Sequence, residues 1–182
     1  MIQTVLDQLS PQCVTKCDYA KTGIHWSVFL SASEIVRAAK LLHKEEYFLE
    51  SVTAIDAKEG YLVVYLFDHM DRPCRVALRV LVSHAAPKLP SIAGVFHGAE
   101  WHERETLDFY GIEFSGNPNL VPLLLPADLD VHPLQKEEGA RVALADLLTP
   151  CEVVRAVPGF DLLTPKAEDE GKKAKAAEAT GA

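Results

Sequence analysis

AEWHERETLDFYGIEFSGNPNLVPLLLPADLDVHPLQK, residues 99–136, is the stretch around which the chain is organised. Its spacing predicts a helix over Glu100 to Tyr110, with Gly111 standing where a left-handed C-terminal cap belongs. Glu100, Arg104 and Asp108 lie four apart on one face, so Arg104 can pair with an acid a turn away on either side. Trp101, Glu105 and Asp108 share much of that arc, with Tyr110 nearby. A surface helix normally separates an apolar stripe from a polar face. Mixing them is expected where charges are buried in pairs against another surface. Beyond the cap, Ile112 and Phe114 alternate like a strand, and Ser115-Gly116-Asn117-Pro118 reads as a turn. An apolar run from Leu120 to Leu125 follows, closed by Pro126. The last piece, Ala127 to Lys136, carries Pro133 and too few apolar side chains for a core of its own. An ordered arm of that kind is expected to lie on another protein.

Glu103-Arg104-Glu105, Asp108-Phe109-Tyr110-Gly111-Ile112, Phe114, Gly116, Pro118, Leu120, Leu125-Pro126, Asp128, His132-Pro133-Leu134 and Lys136 form an ordered series. It resembles the signature of the 30 kDa (C-type) subunit of the proton-translocating NADH–quinone oxidoreductase, respiratory complex I. The related subunit of complex I-like membrane-bound hydrogenases has the same module. The similarity runs from about Tyr47 to Lys136. The chain departs from the family pattern at Asn117, Pro122 and Gln135 to Glu138, which bears on which member of the enzyme class it serves. The resemblance implies a non-catalytic structural subunit of the peripheral arm, docked on the large quinone-pocket (49 kDa-type) subunit beside iron–sulfur subunits. NADH, FMN, iron–sulfur clusters and quinone are then implied for the complex and none for this chain. The implied place is the cytoplasmic face of the cell inner membrane. Signature and partner-facing residues are expected at Trp101, Glu103, Arg104, Glu105, Asp108, Tyr110, Gly111, Pro118, Pro126, His132, Pro133 and Lys136.

The rest of the chain frames that segment. With 182 residues, 48% of them hydrophobic, it is long enough for one domain with a real core plus extensions. The net charge of −8 argues against nucleic acid or anionic lipid as a direct partner. Residues 166–182 hold four Lys and four Asp/Glu, so the acidity resides wholly in what precedes them. That tail is expected to be disordered. The opening residues have the pattern of a short amphipathic helix, with Ile2, Val5, Leu6 and Leu9 on one side, rather than a leader peptide. No run of eighteen apolar residues is present, so no membrane span is expected. Cys13, Cys17, Cys74 and Cys151 match no zinc or iron–sulfur spacing, and four free thiols are expected in a reducing cytoplasm.

Alternation over Gly23 to Leu30 predicts a strand, and Ser31-x-x-Glu34 a capping box for a helix reaching Tyr47. Leu49 to Asp56, Tyr61 to Phe67 and Arg75 to Val82 read as three further strands. Tyr61 to Phe67 is apolar on both faces and therefore central. In the last strand Arg75 and Arg79 point outward, which suggests a position near an edge. A short helix is expected between Pro87 and Gly98, another helical stretch over Gly139 to Leu148, and an extended strap beyond Pro150. The expected class is α+β: a three- to four-stranded, mostly antiparallel sheet resembling a split β-α-β unit, with helices packed on it and an extended C-terminal arm. The divisions are 1–22 lead-in, 23–116 core, 117–165 partner-binding arm and 166–182 tail.

Motifs for independent chemistry are missing. His102-Glu103 begins a zinc-protease motif, but Thr106 stands where a second ligand belongs. There is no glycine-rich phosphate loop and no nucleophile elbow. Glu103, Glu105 and Asp108 are the carboxylates a small stand-alone enzyme would use. With Arg104 among them they are expected to be held ionised rather than poised for proton transfer. Two functions thus stay open: a structural subunit of a redox complex, or an enzyme built on that acidic helix.

Overall fold

A computed structural model describes residues 2–163; the expected disordered tail, 166–182, lies outside the described residues. The first element is helix α1 (Ile2–Asp7), followed by strand β1 (Cys13–Lys16) and the short helix α2 (Tyr19–Thr22). Strand β2 (Trp26–Leu30), helix α3 (Ile35–Lys44) and strands β3 (Tyr47–Ala57), β4 (Gly60–His69) and β5 (Val76–Val82) make the centre. Strand β6 (Lys88–Pro90), helix α4 (Ala99–Tyr110) and strand β7 (Glu113–Ser115) come next. Helix α5 (Leu144–Leu147) and strand β8 (Glu152–Ala156) close the fold.

Six strands form one sheet in the order β3-β4-β5-β2-β1-β8, and β6 and β7 form a separate parallel ribbon. All neighbours in the large sheet are antiparallel except β2 and β5, which run parallel with Val28 opposite Leu78. Strand β3 shares their direction, so β2-α3-β3 is a β-α-β unit split by the inserted β4 and β5. The α+β class therefore stands. The sheet is wider than the three or four strands expected because both ends of the chain join one edge: β1 pairs with β2, and β8 pairs with β1.

Period-two alternation puts two sets of side chains on opposite faces. On one face Val28, Val63, Tyr65 and Leu78 pack under Val5 and Leu6 of α1 and Ile35, Ala38 and Leu42 of α3. On the other face Phe29, Leu62 and Ala77 pack under Leu144, Leu148, Phe160, Leu162 and Leu163. This second cover corrects two expectations. The segment after Pro150 is not a detached strap, since it adds a strand and roofs the sheet. Strand β5 lies between β4 and β2 rather than near an edge, and Arg79 points under the roof instead of into water. Arg75 stays partly exposed, as expected, and donates to Glu50 at 2.7 Å.

Other differences are local. Ser31 makes no side-chain cap bond; a single 3-10 turn, Ala32–Glu34, leads into α3 instead, and Glu34 accepts from the backbone N–H of Ser10. Between Pro87 and Gly98 the chain forms β6 and turns rather than a helix, with Val95 and Phe96 both donating to the carbonyl of Ile92. The stretch from Gly139 to Leu148 is broken into the 3-10 turn Glu138–Ala140 and the one-turn α5. Gly60 opens β4 at φ 147°, where a Cβ would run into the Val82 carbonyl; only glycine fits there.

The expectation of four free thiols also fails. With β8 laid beside β1, Cys17 and Cys151 come within 4.7 Å between Cα atoms and form a disulfide. Cys13 and Cys74 are free. Alkylation of the denatured, unreduced chain is expected to label two thiols rather than four. Replacing Cys151 with serine should cost about 2–4 kcal/mol in urea unfolding, because a long loop is no longer closed; four labelled thiols would contradict the pairing.

Candidate functional site

Helix α4 spans Ala99–Tyr110 and ends as expected at Gly111 in the left-handed conformation, φ 72°. The last four carbonyls of a helix have no partner inside it. Here Gly111 N–H donates to Leu107 O, and the arm that follows supplies the rest. His132 Nδ1 lies 2.8 Å from Asp108 O, Leu134 N–H donates to Phe109 O at 3.1 Å, and Gln135 Nε2 donates to Tyr110 O at 2.8 Å. The His132 ring passes so close over Gly111 that a Cβ there would stand 2.7 Å from it. Glycine is thus required twice at this position, for its φ and for the approach of the arm.

Three buried carboxylates fasten the same arm. Asp108 Oδ2 accepts from the successive N–H groups of Leu123, Leu124 and Leu125 at 3.0, 2.7 and 3.1 Å. Glu103 accepts from Ser91 Oγ at 2.6 Å, Ile92 N–H at 2.8 Å and Asn117 Nδ2 at 2.8 Å. Burial pushes the Glu103 carboxyl above its usual range, and these three donors only partly offset that. At the end of β3, Asp56 Oδ2 accepts the N–H of Lys136 at 2.7 Å, while Oδ1 faces His84 Nε2 at 2.7 Å and Arg141 Nε at 3.0 Å. Burial opposes the Asp56 charge, but the Lys136, His84 and Arg141 donors outweigh it and hold the carboxyl below its usual range.

These contacts correct the expected charge pattern of α4. Arg104 does not act as the cation that holds Glu103 and Asp108 ionised; its Nε and Nη2 donate to the carbonyls of Val121 and Pro122, each at 2.9 Å. The buried acids are sheltered by this chain's own arm and by the turn after β6, rather than by a foreign surface. Asn117, one of the departures from the family pattern, is itself a Glu103 partner.

The expected site residues therefore fall into two groups. Glu103, Arg104, Asp108, Gly111, His132 and the backbone of Tyr110 and Lys136 hold the arm in place. Trp101, Pro118, Pro126 and Pro133 are exposed, Trp101 to 64%, and Glu105 is half-buried. The arm also leaves Val121, Leu124, Leu129, Val131 and Leu134 exposed. Asp56, His84, Ser91 and Arg141 belong to the clamp without having been singled out in the sequence. Asp56 carried a signal: it shares the inward register of β3 with Val52 and Ala54, a lone acid on an apolar face. Among the described residues no cluster of three His, Cys, Asp or Glu could hold a metal ion, and no helix is long and apolar enough to cross a membrane.

The clamp and the sheet strands β3 to β5 fall within the reach of a known family. The model of the respiratory-chain NADH dehydrogenase 30 Kd subunit matches residues 28–141. The chain belongs to this family. It is thus a subunit of an NADH–quinone oxidoreductase complex, as the signature between Glu103 and Lys136 implied. It is 36% identical over 118 residues to the NADH-quinone oxidoreductase C subunit of Roseiflexus sp. (strain RS-1), covering 61% of this chain and 68% of that protein. It is 33% identical over 129 residues to the NADH-quinone oxidoreductase C/D subunit of Methylococcus capsulatus, covering 63% of this chain and 22% of that longer protein. Among solved structures, a chain of the membrane-bound sulfane sulfur reductase, an archaeal respiratory membrane complex, shares the fold: TM-score 0.62, 18% identity, 80% of this chain and 86% of that one.

Two outcomes follow from the clamp. Gly111→Ala is expected to destabilise the fold by about 1–3 kcal/mol in chemical unfolding, and Asp108→Ala to expose the Leu123–Leu125 segment to limited proteolysis while the sheet stays folded. The two shifted carboxyls oppose each other in pH. Asp56 contributes stability that is present above its unfolded value of about 3.9 and lost as pH falls through its lowered folded value. Glu103 binds its proton more readily folded than unfolded, so its contribution falls as pH rises from about 4.3 through the raised value. Wild-type stability relative to Glu103→Gln should accordingly decline as pH rises above about 4.3; a pH-independent difference would contradict the Glu103 assignment.

Proposed function

We propose that the chain is a non-catalytic structural subunit of the peripheral arm of the complex, and that its clamped arm is the surface that docks on the large quinone-pocket (49 kDa-type) subunit. The observation that carries this is the inverted arm: polar backbone bonded inward to α4, and Val121, Leu124, Val131, Leu134 and Trp101 turned outward. Several large apolar side chains left exposed on one ordered arm favour a protein partner. Relatives with the joint name C/D support the choice of partner, since there the matched module occupies only part of a longer polypeptide whose name joins two subunits.

The mechanism is positional. Electron transfer and quinone access depend on fixed distances between subunits, and a pre-ordered arm sets that geometry without losing chain entropy on docking. NADH, FMN, iron–sulfur clusters and quinone sit in neighbouring subunits in this proposal. The assembly holds the chain at the cytoplasmic face of the inner membrane. An enzyme built on Glu103, Glu105 and Asp108 is disfavoured, because Glu103 and Asp108 are buried and each already accepts three hydrogen bonds.

Trp101→Ala is expected to weaken capture of the large subunit about 30-fold, and Leu124→Asp to abolish co-purification, with thermal stability of the isolated variants unchanged. Undiminished co-purification with both variants, or substrate turnover by the isolated chain, would overturn the proposal.

A further inference from the structure

Arg79 differs from the two other arginines of the sheet and its clamp, Arg75 and Arg141, in having no carboxylate partner among the described residues. Arg75 faces Glu50 at 2.7 Å, and Arg141 faces Asp56 at 3.0 Å. Arg79 rises from β5 on the roofed face of the sheet, donates from Nη1 to Ser27 Oγ at 2.6 Å, and lies 5.7 Å from the Phe29 ring centre. Its Nε is buried without a hydrogen-bond partner, and among the described residues it forms no ion pair. Burial alone pulls the guanidinium down to about 10. A buried cation without a counter-charge is costly, and neither a serine hydroxyl nor an aromatic ring supplies one.

The space around it has a definite chemistry. Arg79 lines a cavity of about 110 Å³ with Thr15, Thr149 and Cys151, and a second of about 190 Å³ with Lys21, Thr22 and Thr149. Among the described residues no Asp or Glu lines either cavity. Lys21 reaches Asp18 only at 3.8 Å on the surface. Arg79 and threonine hydroxyls thus line both pockets, Lys21 joins them in the second, and no acid of the described residues does, on a chain whose net charge is −8. The roof is held by the disulfide of Cys17 and Cys151, and residues 144–163 lie beyond the stretch matched by the family model.

We propose that Arg79 is the base of a binding site for a small free oxyanion of the phosphate or sulfate class, entered beside Lys21 and Thr149 and roofed by the segment that the disulfide ties to β1. A tetrahedral oxyanion can accept from the guanidinium edge, whose planar fork suits bidentate contact, and supplies the missing counter-charge. The site stands independently of how the arm docks.

The test titrates sodium phosphate, and separately sodium sulfate, into the full chain at ionic strength held constant with sodium chloride. Melting temperature and the arginine Nε–H resonances are followed. The expected result is a saturable rise in Tm and a saturable shift of the Arg79 Nε–H signal. Arg79→Gln should weaken binding at least tenfold, and Lys21→Ala several-fold. Should Arg79→Gln fail to fold, the wild-type resonance titration and Lys21→Ala decide the matter. A response that does not saturate, or an unmoved Arg79 signal, would overturn the proposal. So would phosphate binding that emerges only when Glu168, Asp169 and Glu170 are replaced together by Gln, Asn and Gln, since the site would then belong to the chain's own carboxylates.

Discussion

A helix that ends inside a protein must find donors for its last carbonyls, and α4 finds them in residues 24 and 25 positions away along the chain. His132, Leu134 and Gln135 each bond one of the carbonyls of Asp108, Phe109 and Tyr110. Gly111 makes this possible by turning the backbone out of the way and leaving room for the His132 ring. The arm therefore has a fixed course although almost none of it is core. Its order comes from hydrogen bonds to a helix terminus and to carboxylates.

That origin decides which way its side chains face. Asp108 gathers three successive N–H groups, Glu103 holds Asn117, and Asp56 holds Lys136. Hydrogen bonds to charged groups contribute about 1.5–3 kcal/mol each, so three such nodes can order a segment with little apolar burial of its own. With the backbone used inward, Val121, Leu124, Leu129, Val131 and Leu134 are left outward, while Leu120, Leu123 and Leu125 stay half-buried. The segment is thus inverted with respect to an ordinary loop, polar toward the body and apolar toward its surroundings. Leu124 at 62% and Val131 at 57% exposure express that inversion, as does Trp101 on the adjoining helix. The chain that carries this surface belongs to the 30 Kd subunit family.

Much of this was legible in the residues. The cap at Gly111, the extent of α4, the central place of β4 and the family signature all rest on local spacing, which the chain states directly. What was not legible depends on pairing across long separations. Cys17 and Cys151 are 134 residues apart, and Asp56 and Lys136 are 80 apart. Strand β8 is only five residues long and exposed along its length, so it does not declare itself, and its place beside β1 makes it a strand. The same blindness affected the charges of α4. Four-residue spacing pairs Arg104 with Glu100 and Asp108 on an isolated helix, but backbone groups of the arm outcompete those pairs. Arg79 was misjudged for a related reason, since alternation shows which face a residue takes and not what covers it.

Amide hydrogen exchange on the isolated full chain tests most directly whether the arm is ordered by its own helix. The N–H groups of Leu123, Leu124, Leu125 and Leu134 are predicted to exchange far more slowly than in an unstructured peptide, before any partner is added. Exchange at unstructured rates in the isolated chain, with protection gained only in the assembled complex, would contradict the clamp.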